Sequence, residues 1–212
     1  MKTTLLALFV ALTIPSQIFP QWEWLNPRPH GNANNRIAFG GNANEYTIVG
    51  NAGIIMKTTN DGVDWSIQNS GTDINLKDIY ISGNEGIAVG NSGTILRTSD
   101  GGITWHLVNS GTTTHLTAVA FPTSNIGIIT GWNGLILHTT NGGTNWDSIA
   151  TPTTQRLYGV SFADADNGYA VGNAGVILKT TNGGVSWNSQ TSGTVQSLYD
   201  VSYVSPSTAV AT

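Results

Sequence analysis

The sequence predicts an all-β chain: a β-propeller of four-stranded blades, 40–41 residues per repeat, incomplete within this chain. Three observations lead there. Tryptophans recur at Trp65, Trp105, Trp146 and Trp187, at intervals of 40, 41 and 41 residues, each three positions after a glycine. Short apolar stretches bounded by Gly, Asn and Asp follow one another every eight to twelve residues. No stretch after the N-terminus carries the 3.6-residue apolar period of a helix. A fixed period near forty with four short strands in it points to blades around an axis. A β-sandwich has no reason to write one strand-turn formula four times.

The N-terminus reads as a targeting segment. Lys2 supplies a positive charge, Leu5 to Ile14 is apolar, and Pro15-Ser16-Gln17 follows. Ten apolar residues are too few for a bilayer span, which takes about twenty. Residues 1–20 are therefore expected to be a signal peptide, placing the mature chain outside the cytoplasm: secreted, periplasmic or on the cell surface. No integral membrane segment is expected to remain after cleavage. Residues 21–35 form an N-terminal segment, in which Gln21 to Pro27 is expected to complete a terminal blade by pairing with the last one.

The repeats occupy residues 36–212, with units near 36–75, 76–115, 116–156 and 157–197 and a partial unit at 198–212. In each unit the first strand follows Leu-x-x-Val-x-Phe, as at Leu116–Phe121. The second follows Ala-Val-Gly, as at Ala88-Val89-Gly90. Gly-Asn-x-Gly makes the turn to the third strand, Ile-Leu-x-Thr, and a hairpin rich in Asn, Asp and Gly leads to the strand through Trp. Asn and Gly belong where backbone must take positive φ. A closed ring of six to eight such blades needs roughly 250 to 330 residues, so closure is expected to need residues beyond these.

Composition narrows function by exclusion. The chain has a net charge of −4, and its eight Lys and Arg residues are scattered, which removes the basic footprint of nucleic-acid binding. Cysteine is absent, so disulfides and thiolate sites are excluded. No P-loop, dinucleotide fingerprint or nucleophile elbow occurs, and no cofactor is expected. His30, His106 and His115 lack metal-ligand spacing, so no metal is expected.

Thr98-Ser99-Asp100-Gly101-Gly102-Ile103-Thr104-Trp105 resembles the Asp-box turn of sialidase-type propellers. The longer stretch from Gly86-Ile87-Ala88-Val89-Gly90 to Trp105 more specifically resembles the photosystem II stability/assembly factor family, also called BNR-type repeats. The resemblance covers residues 36–212. Asn141 and Asn182 stand where the box has Asp, and Asn60 does so with an apparent shift against Asp61. The resemblance implies a non-catalytic propeller that holds a protein partner during assembly of a membrane complex. A photosynthetic partner transfers less readily, because exported proteins unconnected with photosynthesis share the repeat. The alternatives are an Asp-box glycoside hydrolase, sialidase- or xyloglucanase-like, and a cell-surface adhesin.

Candidate residues divide into two sets. The structural turns are Thr58, Gly62 and Trp65; Thr98, Asp100, Gly102 and Trp105; Thr139, Asn141, Gly143 and Trp146; and Thr180, Asn182, Gly184 and Trp187. Four tryptophans at one repeat position read as blade fasteners rather than a sugar-stacking platform. Candidate partner contacts lie where the copies disagree. Trp132 replaces Asn51, Asn91 and Asn173 and is expected at an exposed loop tip. His138 aligns with Lys57, Arg97 and Lys179, either as an ordinary inter-blade position or as part of a weakly basic ring. Asp164 and Asp166 read as solvated turn residues. No catalytic set is visible.

Overall fold

A computed structural model describes residues 32–40, 42–205 and 208–212. The segment read as a signal peptide and the strand expected at Gln21 to Pro27 lie outside these residues. Blade 1 is β1 (Asn34–Phe39), β2 (Tyr46–Gly50), β3 (Ile55–Thr58) and β4 (Ser66–Gln68). Blade 2 is β5 (Leu76–Ser82), β6 (Glu85–Gly90), β7 (Ile95–Thr98) and β8 (His106–Val108). Blade 3 is β9 (Leu116–Ala120), β10 (Gly127–Gly131), β11 (Ile136–Thr139) and β12 (Asp147–Ile149). Blade 4 is β13 (Leu157–Phe162), β14 (Asn167–Gly172), β15 (Ile177–Thr181) and β16 (Asn188–Gln190). β17 (Val201–Ser205) and β18 (Thr208–Ala211) begin a fifth. Every sheet is an antiparallel meander in chain order.

The first strand of each blade touches the first strand of the next, from β1 through β5, β9 and β13 to β17. These five strands surround a common axis. Arg36 on β1 lies 3.1 Å from Asp78 of blade 2 and 4.0 Å from Asp200, which leads into β17, so one side chain spans the interior of the arc. The ring is open: β18 pairs only with β17, and no sheet precedes blade 1 among the described residues.

The apolar cores lie between sheets. Val49 and Ile55 of blade 1 pack with Leu76, Ile79, Leu96 and Trp105 of blade 2. Ile87, Val89 and Ile95 of blade 2 meet Leu116, Ile129, Leu137 and Trp146 of blade 3, and Ile128 and Ile136 meet Leu157, Leu178 and Trp187. Trp105, Trp146 and Trp187 are thus wedges driven into the preceding blade. Trp105, Trp146 and Trp187 are buried, whereas Trp65, with no blade before it among the described residues, is half-buried.

Both turns are set by the sequence. The second and third strands join through single 3-10 turns at Asn51–Gly53, Asn91–Gly93, Trp132–Gly134 and Asn173–Gly175. Gly93 has φ +71°, and a Cβ there would lie 2.0 Å from the Thr112 carbonyl oxygen, so only glycine fits. Left-handed backbone extends to Ala52, Ser92 and Ala174, which glycine-tolerance arguments do not foresee. The amides of Ala52 and Ser92 donate to Asn75 Oδ1 and His115 Nδ1, and these bonds offset the cost of that backbone.

The hairpin before each tryptophan is held by its Thr and its Asp or Asn. Thr98 Oγ1 donates to Asp100 Oδ1 at 2.8 Å and accepts from the Gly102 amide at 2.9 Å. Asp100 Oδ1 accepts from the amides of Ile103 and Thr104. Thr58 with Asn60, Thr139 with Asn141 and Thr180 with Asn182 repeat the arrangement. Asn60 accepts from the Asp64 amide as Asp100 does from Thr104, so the first unit carries no shift relative to the others. Trp105, Trp146 and Trp187 each donate Nε1–H to the glycine carbonyl three residues back, at 3.1, 3.2 and 3.1 Å.

Candidate functional site

The loops that enter the blades, together with the 3-10 turns, make one face of the arc. Three of the turns begin with Asn. Asn51 Oδ1 accepts from Asn35, while Asn173 donates to Gln155 and accepts from Ser197. At Asn51 and Asn173 the amide ties its turn to a neighbouring loop. The indole of Trp132 is held by stacking instead. His115 meets the ring edge-on at 4.4 Å between centroids, and the Arg156 guanidinium carbon lies 3.6 Å from the ring centroid. Trp132 is therefore half-buried between two cationic or polar neighbours, not free at a loop tip as the sequence predicts.

Arg156 is the residue that sequence reasoning missed. It occupies the loop before β13, where the other units have Asn75, His115 and Ser197, and that contrast was the signal available. Its backbone carbonyl accepts from the Asn173 amide, which fixes the loop. Tyr158 lies 5.8 Å from its guanidinium, and Tyr199 packs against Tyr158 at 5.1 Å. Among the described residues no carboxylate lies within ion-pair distance of Arg156. A guanidinium held against an indole has fewer orientations to lose when its N–H groups meet a carboxylate.

The residues read as a possible basic ring have another place. Lys57 Nζ of blade 1 donates to the Gly101 carbonyl of blade 2 at 2.8 Å, and Arg97 Nε of blade 2 donates to Gly142 of blade 3 at 3.2 Å. His138 of blade 3 faces the backbone of Gly183 in blade 4. Burial pulls its pKa down, while that backbone contact and Asp147 act the other way. Lys57 and His138 are each only 8 % exposed, so His138 is a joint between blades rather than a surface contact. Lys57 and Arg97 also pair with Glu45 and Glu85 of their own blades.

Along the axis, Asp78 is buried. Its carboxylate accepts from the amides of Ile79 and of Val119 on the next blade, and Arg36 lies beside it. Burial outweighs those favourable contacts and pushes its pKa up to about 6. Asp164 is exposed and accepts from the amides of Asp166 and Asn167 and from the Asn167 side chain, which hold it below its ordinary range. The Asp164–Asn167 loop is a turn held by these bonds and by the Gly183 amide, which donates to the Asp166 carbonyl. Among the described residues no three His, Asp or Glu side chains converge as metal ligands.

The sequence matches the family described as photosynthesis system II assembly factor YCF48 over residues 64–151 and 144–208. The chain belongs to this family. Among solved structures, YCF48 from Cyanidioschyzon merolae is similar with a TM-score of 0.67 at 20% identity, over 84% of this chain and 62% of that one. A YCF48 bound to D1 peptide is similar with a TM-score of 0.51 at 14% identity, over 86% of this chain and 91% of that one. An ancestral GH74 enzyme is similar with a TM-score of 0.65 at 22% identity, over 77% of this chain and 24% of that one. At these identities the likenesses are of fold. The chain spans 62% of the length of the Cyanidioschyzon protein. No curated protein matches it in sequence.

Proposed function

We propose that this YCF48-family chain is an exported, non-catalytic propeller that holds a segment of a partner protein on its turn face, with Arg156 gripping a carboxylate of that segment. One observation carries the reading: the Arg156 guanidinium lies on Trp132 at 3.6 Å, with no carboxylate within ion-pair distance among the described residues. Such stacking contributes about 0.5–2 kcal/mol and orients the fork before a ligand arrives. A YCF48 has been seen bound to a D1 peptide, which supports a peptide as the kind of partner. Export rests on Lys2 and the apolar run from Leu5 to Ile14. A glycosidase reading lacks support from side chains, since Asp164 is committed to its own turn and the GH74 likeness spans a small part of that enzyme.

The test is titration of fluorescein-labelled peptides, acidic or with a free C-terminal carboxylate, against the full chain and its Arg156→Gln and Trp132→Ala variants. A charge-assisted bidentate contact is worth about 1.5–3 kcal/mol, so Arg156→Gln should weaken binding about tenfold or more, while the unfolding free energy falls by no more than the stacking contributes. C-terminal amidation should weaken binding of the carboxylate-ended peptide alike. Equal affinity for Arg156→Gln and the unchanged chain would sink the assignment.

A further inference from the structure

One of the joints between blades departs from the others in two residues at once. In blade 1, Lys57 donates to the Gly101 carbonyl of blade 2 and pairs with Glu45 at 3.2 Å. In blade 2, Arg97 donates to the Gly142 carbonyl of blade 3 and pairs with Glu85. In blade 3, His138 stands for the cation, and Ile126 stands for the glutamate, preceding Gly127 as Glu85 precedes Gly86. The joint of blades 3 and 4 thus holds a titratable base with no carboxylate in ion-pair distance among the described residues.

The surroundings of His138 disfavour a charge. The residue is buried, and its Nε2 has no hydrogen-bond partner among the described residues. Ile128 stands opposite it on β10, and a Cβ on Gly184 of the blade 4 hairpin would lie 3.7 Å from its ring. The hairpin from Asn182 to Trp187 carries no ionisable group. In the adjoining loop, Asp164 accepts from its own turn and Asp166 presents its carbonyl to the Gly183 amide. Only the exposed Asp147, opposite His138 on β12, and the Gly183 backbone favour the cation, and burial outweighs both. A buried cation without an ionised partner is costly.

On the turn face the same two blades meet through Arg156 of blade 4 over Trp132 of blade 3. Nearer the axis, Thr117 donates to the Leu157 carbonyl at 2.7 Å. We infer that this joint is a proton-operated latch: neutral His138 keeps blades 3 and 4 closed, and its protonation parts their outer strands about the Thr117–Leu157 contact, drawing Arg156 off Trp132. The closed joint refuses a proton that the open, hydrated joint accepts. Its stability is therefore complete above about pH 6.5, the ordinary histidine value, and is lost as the pH falls below it. The joints of Lys57 and Arg97 keep their ion pairs over this range. The latch stands on His138 and Ile126; its effect on binding rests on the Arg156 reading above.

Trp187 is wedged in this joint and Trp105 and Trp146 in the two before it, each with its indole N–H bonded to a glycine carbonyl. Hydrogen exchange of these indoles in the full chain reads each joint, and comparison at one pH cancels the intrinsic rate. From about pH 7.5 to about pH 5, exchange at Trp187 should rise about threefold or more relative to Trp105 and Trp146. His138→Gln should remove the rise, and Ile126→Glu, which restores the carboxylate, should raise the His138 ring midpoint and suppress it. Asp78 titrates on the axis at about 6, so Asp78→Asn should leave the rise in place. Acid should weaken binding of a fluorescein-labelled acidic peptide about threefold more in the unchanged chain than in His138→Gln. A rise shared by all three tryptophans, or one that survives His138→Gln, would overturn the latch. Should His138→Gln fail to fold, an undiminished rise in Ile126→Glu would do the same. Equal acid weakening of binding in both chains would overturn the link to Arg156. Absence of peptide binding at any pH would refute the Arg156 reading, while the exchange rates still decide the latch.

Discussion

Replacing Trp146 by alanine removes the wedge between blades 2 and 3. A buried tryptophan covers about 150–250 Å², which at about 25 cal/mol per Å² is about 4–6 kcal/mol as an upper bound. Truncations of this kind cost about 3–5 kcal/mol. The loss also strands Phe121, which touches the indole edge, and removes the Nε1–H bond to Gly143. Trp65 offers a built-in control, because its hairpin is alike but no blade lies before it among the described residues. It is half-buried and makes no such Nε1 bond among the described residues. Trp65→Ala should therefore cost less than half as much. Urea unfolding followed by far-UV circular dichroism would measure both. Equal losses for Trp65→Ala and Trp146→Ala would show that the tryptophan stabilises its own hairpin, not the joint with the preceding blade.

Three further outcomes are expected. Gly93→Ala forces a Cβ to within 2.0 Å of the Thr112 carbonyl at φ +71°, and should lower stability by about 1–3 kcal/mol in the same unfolding assay. The Asp100 carboxylate is held well below its ordinary range, chiefly by the Thr104 hydroxyl and amide. Its contribution is thus present above the ordinary aspartate pKa of about 3.9 and lost as the pH falls below it, and Asp100→Asn should flatten the acid limb of a stability–pH curve. Asp78 has the opposite sign: with a folded pKa of about 6, its contribution is complete below about 3.9 and lost as the pH rises through about 6. Carboxyl-carbon NMR should find that midpoint, and Arg36→Met should move it higher, because Arg36 favours the charged form.

The four-stranded unit was legible because every copy repeats the same strand patterns and turn residues, and a period cannot be produced by local propensity alone. The wedge role of the tryptophans was legible in kind, but not the neighbour they serve. Trp105 lies beside β8 in the chain yet packs on Val49 and Ile55 of the blade before. The joints made by Lys57 and Arg97 were hidden for a related reason. Their acceptors are main-chain carbonyls 44 and 45 residues away, and a carbonyl has no letter in the sequence. Trp132 was legible as an exception and wrongly placed as exposed, because its burial depends on His115 and Arg156, each from a different loop. Asp78 went unnoticed although it shares a repeat position with Arg36, Ala118, Gly159 and Asp200, and charges recurring at a position that is small in two other copies were the clue to the axis.

The joint between blades has a lopsided chemistry with a bearing on how such chains change over time. One half is a side chain that differs from blade to blade, Lys57 in one and Arg97 in the next, and the other half is a peptide carbonyl that no substitution can delete. Mutation can therefore wander among any residues able to donate, without a matching change elsewhere. A unit copied, lost or moved along the gene meets a neighbour already equipped to receive it. Blade number in such a chain is free to drift one repeat at a time.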